Sequence, residues 1–166
     1  YSGASVPFKY KGANQTNLFD ADAAGGTVVD NWTVYGTNSV AVVSNAITIT
    51  YSNHAGGAYT YLRDARDLTS DLTIGKRYRY SVDAYYTGGS AGVKLQVGDA
   101  VTDFTSDVLT TSAVTYSIEF TAQHATNCYA QLNSMGASNV VTLDNQSIVP
   151  IGAVAEYDGS GASDTV

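Results

Sequence analysis

Residues 75–98, GKRYRYSVDAYYTGGSAGVKLQVG, limit the possible fold more than any other stretch of the chain. Tyr78, Tyr80, Val82 and Ala84 alternate with Arg77, Arg79, Ser81 and Asp83; further on, Val93, Leu95 and Val97 alternate with Lys94 and Gln96. Side chains two apart share a face, so each segment reads as a strand with one buried and one outward side. The glycines of TGGS reach the backbone angles of a tight turn. The pattern therefore predicts a hairpin with the remaining strands packed around it.

The same period of two recurs along the chain. It is read in 31–36 (NWTVYG), with Trp32 and Val34 inward and Tyr35 outward, and in 40–43 and 46–52, joined at Ser44-Asn45. It continues in 58–64 (AYTYLRD), 102–108, 113–122 with Val114, Tyr116, Ile118 and Phe120 inward, 127–132 (NCYAQL) and 140–148. With a short strand at 17–20, this makes about ten strands separated by turn residues, the pattern of an all-β sandwich of antiparallel sheets. Residues 17–152 are assigned to this one domain. The segments 1–16 and 153–166 lack sustained alternation and are expected to be linkers tethering it to further domains.

Composition narrows the function. The net charge is −7 and the eight basic residues are scattered, so the clustered cationic surface needed for nucleic acid is missing. No apolar run approaches the ~18 residues of a membrane span. The one cysteine, Cys128, excludes an internal disulfide and a cysteine-based zinc cluster. Hydrolysis of a glycosidic bond needs two carboxylates held ~5–10 Å apart across a cleft. Asp83, Asp99, Asp103 and Glu119 form no recognisable acid–base pair, and His54 and His124 are isolated in sequence. The chain is read as non-enzymatic. Its 13 tyrosines suit the binding of a neutral hydroxylated ligand, with modest affinity little affected by salt.

The ordered series NWTVYG, LTIGK-x-Y, AGVKLQVG, TYSIEFTA and TLDNQSI resembles carbohydrate-binding modules of families 4, 9, 16 and 22 over residues 17–150. The resemblance implies a jelly-roll β-sandwich that holds a polysaccharide or cell-surface glycan without catalysis. Two departures stand out. Asn31 precedes Trp32 where the family has Gly, and DNQS stands where an apolar residue more often follows the acidic pair.

Carried over residue by residue, the family's ligand cleft falls on Tyr35, on Tyr59, Tyr61 and Arg63, and on Lys94 and Gln96. It continues with Phe104 and with Asn127, Tyr129 and Gln131. The last three share a face by alternation alone. The resemblance also implies a structural calcium ion away from the cleft, held by Leu18 and Asn45 through backbone oxygens and by Asp20 and Asp144 through carboxylates. Oxygen-only ligation suits that hard cation. The ends, VPFKYKGANQT and GAVAEYDGSGASD, resemble connecting segments of bacteriophage tail or virion-associated proteins. That second resemblance implies an extracellular or virion-associated setting, with a structural or adhesive spacer lacking a sugar site as the alternative.

Overall fold

The computed structural model describes residues 8–11, 16–20, 29, 31–89, 91–98, 102–152 and 154–157. Among them the strands are β1 (Phe8–Lys11), β2 (Thr33–Val34), β3 (Ser39–Val43), β4 (Ala46–Thr50), β5 (Ala58–Tyr61) and β6 (Arg77–Thr87). There follow β7 (Lys94–Gly98), β8 (Asp103–Val108), β9 (Val114–Thr121), β10 (Tyr129–Asn133), β11 (Val140–Pro150) and β12 (Val154–Tyr157). None of the described residues forms a helix long and apolar enough to cross a membrane.

Two antiparallel five-stranded sheets face each other, in the orders β2-β5-β10-β7-β8 and β3-β4-β11-β6-β9. The long strands β6 and β11 run side by side at the heart of the second sheet. Their inward residues Tyr78, Tyr80, Val82, Val141, Leu143 and Ile148 are buried against Leu95, Val97, Ala130 and Leu132 of the first. Each large apolar side chain sealed in this way contributes roughly 1.5–3 kcal/mol. The alternation read in the sequence is thus the alternation between core and outer face. Val114, expected inward, is 46% exposed at the start of β9, while Tyr116, Ile118 and Phe120 are buried as expected.

The predicted hairpin is not formed. β6 and β7 lie in different sheets, so the chain passes from one to the other between Thr87 and Lys94. Alternation specifies which face of a strand is buried and says nothing of its partner. The tight turn at Ser44-Asn45 is found as read, with φ of 53° and 62°, the mirror-image turn that suits a two-residue hairpin between β3 and β4.

The expected first strand at 17–20 is reduced to one bridge, Phe19 to Leu68. Beside it the side chain of Asn17 imitates a strand. Its Oδ1 accepts from Ile148 N at 2.9 Å and its Nδ2 donates to Gln146 O at 3.3 Å. The segments read as linkers each contribute a strand: β1 pairs antiparallel with β12, Lys9 opposite Glu156. Such a pairing, nearly the whole chain apart in sequence, leaves no local pattern to find.

The departure at DNQS has a structural explanation. Register slips between Asp144 and Ser147, Asn145 takes a φ of 51°, and Gln146 turns into the core. There the Tyr80 hydroxyl donates to Gln146 Oε1 at 2.9 Å, so a buried polar pair fills the apolar position.

Candidate functional site

The outer face of the first sheet collects most of the residues expected to bind ligand. On β5, Ala58 and Thr60 are buried, which turns Tyr59 and Tyr61 outward. On β10, Ala130 and Leu132 are buried, which turns Tyr129, Gln131 and Asn133 outward beside them. Register completes the surface. Tyr61 stands opposite Tyr129 and Tyr59 opposite Gln131; across the next interval Tyr129 meets Gly98, Gln131 meets Gln96 and Asn133 meets Lys94.

The aromatic rings interlock, with Tyr59 as their hub. Its centroid lies 4.9 Å from Tyr35, 5.6 Å from Tyr61 and 6.5 Å from Tyr129. Tilted and edge-to-face packing of this kind holds the rings in place beyond what area burial supplies. Tyr35 is pinned at both ends. Its hydroxyl donates to Gln131 Oε1 at 2.9 Å, and its ring stacks on His54 at 4.8 Å. Burial pushes the Tyr35 phenol up from its ordinary value, with Tyr59, Tyr61 and Asp103 adding to the rise.

Backbone economy makes room for these rings. A Cβ on Gly98 would sit 2.6 Å from both Cζ and the hydroxyl oxygen of Tyr129, so that tyrosine lies directly over bare backbone. A Cβ on Gly56 would lie 2.8 Å from Tyr35 Cδ2. At both positions glycine lets a ring approach the backbone, and a larger residue would shift that ring.

Amides and charges frame the aromatic row. Asn133 Nδ2 donates to Gln96 Oε1 at 2.8 Å, and the Tyr129 hydroxyl donates to Asp103 Oδ1 at 3.3 Å. At the Tyr61 end the chain turns sharply, with Arg63 N donating to Tyr61 O, which folds Arg63 back over the ring. Its guanidinium carbon lies 4.8 Å from the Tyr61 centroid, and that of Arg66 lies 6.0 Å away.

Three members of this face have no counterpart among the expected site residues: His54, Asn133 and Arg66. Continuing the Asn127-Tyr129-Gln131 alternation by one step points to Asn133. His54 and Arg66 come from loops. The His54 loop is held by buried Asn38, whose Nδ2 donates to the carbonyls of His54 and Gly57 and whose Oδ1 accepts from Ser52 N at 2.7 Å.

Phe104 does not belong to the face. It pairs across β7–β8 with inward Val97 and packs on the core, its ring 6.4 Å from Phe120. Both phases of TDFTSDV are polar enough to face water, so alternation did not choose between them; the outward neighbours are Asp103 and Thr105. Asn127 is exposed in the loop just before β10.

The expected calcium ligands come from separate segments of the chain. The Leu18 carbonyl accepts both the backbone N–H and the hydroxyl of Thr69, at 2.8 and 3.1 Å, which engages both its lone pairs. Asp20 is tied by its N–H to the Asp67 carbonyl, whereas Asn45 sits in the β3–β4 turn and Asp144 on β11. Asp144 Oδ1 accepts from Asn145 N at 2.8 Å. In this arrangement the Leu18 oxygen is already engaged, while Asp144 stands beside the turn that holds Asn45.

Among the described residues, a groove of about 590 Å³ lies on the opposite side of the molecule, on the outer face of the second sheet. Val43, Thr48, Asp83, Tyr85, Thr115 and Asp144 are among its lining residues. Its polar groups satisfy one another: Asp83 accepts from the Thr115 hydroxyl and, at 2.8 Å, from Asn145 Nδ2.

No protein-family profile and no curated relative matches the chain. Solved structures do. The xylan-binding CBM22-1 domain of Paenibacillus barcinonensis Xyn10C aligns over 87% of this chain and 99% of its own, at 16% identity and a TM-score of 0.62. The CBM22-1–GH10 modules of Clostridium thermocellum Xyn10B, solved with xylohexaose, align over 86% of this chain at 17% identity and a TM-score of 0.56; the match spans 28% of that longer protein. A family 29 carbohydrate-binding module aligns over 84% of this chain and 93% of its own, at 15% identity and a TM-score of 0.52. At such identities the likeness is one of architecture. The chain is a jelly-roll β-sandwich of the kind these carbohydrate-binding modules share.

Proposed function

We propose that the chain is a non-catalytic carbohydrate-binding module that holds a polysaccharide or cell-surface glycan on the outer face of the β2-β5-β10-β7-β8 sheet. The observation that carries this reading is the interlocked row Tyr35–Tyr59–Tyr61–Tyr129, bordered by Gln131, Gln96 and Asn133. Sugars present apolar C–H faces ringed by hydroxyls. Aromatic side chains complement the first, and planar amides, which both donate and accept, complement the second. The rings are fixed by one another and by the Gln131 bond, so little side-chain freedom is lost on binding.

A solvent-facing row of this kind also favours binding over a spacer role, because a spacer has no reason to hold four tyrosines together on one outer surface. Among the described residues the acid on this face, Asp103, accepts from the Tyr129 hydroxyl and has no second carboxylate bonded beside it such as a glycosidase pair requires. The setting that goes with this reading is an extracellular or virion-surface protein with further domains attached; the xylan-binding and xylohexaose-bound neighbours in multidomain proteins support that part of it.

Affinity electrophoresis against β-glucans, xylan, mannan, alginate and bacterial cell-wall glycans tests the assignment. Retardation by at least one polymer, lost in Tyr59→Ala and Tyr129→Ala at unchanged melting temperature, is the expected result. Retardation that survives both substitutions would remove the ligand from this face.

A further inference from the structure

The cations of the two sheets are treated differently. On the second sheet Arg77 and Arg79 both bond Glu119, at 3.0 and 2.7 Å. On the first sheet the side chains of Arg63 and Lys94 make no ion pair or hydrogen bond among the described residues, although both are half-buried. Arg63 Nε is sealed from solvent without an acceptor, while its guanidinium rests on Tyr61. A buried donor without a partner is costly; Trp32 Nε1 shares that condition in the core, whereas Arg63 is half-buried and keeps part of its side chain open to solvent. Arg66 differs: its Nη1 donates to Asn31 O at 3.1 Å, so it adds positive field beside Arg63 while being itself anchored.

These cations stand at opposite corners of the aromatic row. Lys94 is level with Asn133, and Tyr61, beneath Arg63, is level with Tyr129. That is four residues along β10 and two strand intervals across, roughly 13 Å by 10 Å. The carboxylate of Asp103 lies at the β8 edge, bonded by Tyr129, and would turn an anionic chain toward the β5 side where Arg63 waits.

Resting on the reading of this face as a glycan site, we infer that its ligand is an acidic polysaccharide, a chain bearing uronic-acid carboxylates, with one carboxylate received by Arg63 and another, several sugar units on, by Lys94. The guanidinium is suited to the first task because its planar fork matches a carboxylate with two parallel hydrogen bonds. The ammonium of Lys94 serves as a point charge on a flexible stem, tolerant of where the next carboxylate falls. Such binding weakens with salt, unlike the salt-insensitive binding that composition suggests.

The test compares each acidic polymer with its own carboxyl-reduced form, which keeps the backbone and loses the charge. Glucuronoxylan and polygalacturonate, each with its reduced counterpart, are titrated by calorimetry. The wild type is expected to bind at least one acidic form about tenfold more tightly than its reduced form, a difference of one charge-assisted contact. That ratio should fall toward one in Arg63→Gln, drop only partly in Arg63→Lys and in Lys94→Gln, and shrink as salt rises from about 50 to about 500 mM. The ratio is read within each variant, so a general loss of affinity does not imitate the result, and melting temperatures report folding. Equal affinity for acidic and reduced forms would overturn the inference and leave glycan binding standing. A preference that survives Arg63→Gln and Lys94→Gln together would also overturn it. Failure of the folded wild type to bind either form of either polymer, or any glycan of the electrophoresis panel, would overturn the inference and the site together.

Discussion

The two outer faces of this sandwich are built from the same backbone pattern and differ in how their polar groups are spent. On the second sheet Thr48, Thr142 and Thr115 alternate with core residues, Arg77 and Arg79 bond Glu119, and Asp83 takes bonds from Thr115 and Asn145. Every strong donor named there has an acceptor on the same face. On the first sheet the outward positions hold rings that pack on one another, amides that bond their neighbours, and two cations whose side chains have no acceptor among the described residues. A groove lies on the second sheet, yet it is the first that offers side chains open to a ligand. Concavity alone is therefore a poor guide to the binding surface; the state of pairing of its side chains is a better one.

The contrast breaks most sharply at Tyr59. Removing the hub of the aromatic row should cost about 2 kcal/mol of glycan affinity, roughly 30-fold, as expected for a central aromatic anchor. Calorimetric titration with the polymer found by electrophoresis measures it. Gly98→Ala comes next. Its Cβ would displace the Tyr129 ring without touching ligand, so affinity should drop by about 1 kcal/mol, roughly fivefold, while the rest of the row stays in place. Back-face substitutions sharpen the comparison from the other side: Tyr85→Ala and Arg79→Ala should leave affinity within about twofold, since neither residue reaches the first sheet and exposed ion pairs contribute little.

Acid titration of stability separates two carboxylates by sign. Glu119 is held below the usual carboxylate range, chiefly by the hydrogen bond from Arg79. Its contribution is present above its unfolded pKa and is lost as pH falls through the lower, folded one. Asp67 is pushed up, chiefly by burial, against the opposing bonds from Thr60 and Asn31. Charged Asp67 therefore opposes folding, and that opposition disappears as pH falls through its raised pKa. Followed from neutrality downward, the melting temperature should decline less steeply in Glu119→Gln and more steeply in Asp67→Asn than in wild type.

Alternation alone gives the shared face of Tyr129 and Gln131 and the outward phase of Lys94 and Gln96, because Ala130, Leu132, Leu95 and Val97 mark the other side as core. On 58–61 alternation leaves the phase open, since Thr60 competes with the tyrosines for the outer face, and the resemblance supplies Tyr59 and Tyr61. Phe104 is put on the face by the resemblance alone; both phases of its strand are polar, and packing against Phe120 across the core turns it inward. His54 and Arg66 were not legible at all. One depends on a loop tied down by Asn38, the other on the loop that follows Arg63, and neither loop has a period. Topology was the other loss. The glycines after β6 read as a hairpin turn, whereas the chain there passes between sheets, because strand partners are set by the whole core rather than by the turn. The expected calcium site is tested with EGTA: a melting temperature lowered by EGTA in the protein and not in Asp144→Ala would support it, and one unchanged in both would remove it.

The most direct test of the binding face is a two-dimensional NMR titration of the backbone amides with a soluble oligosaccharide of the bound polymer. Shifts confined to residues 54–63, 94–98, 103–105 and 127–133 are expected. Shifts centred instead on 83–85, 113–115 and 142–145 would place the ligand in the groove of the opposite sheet and contradict the assignment.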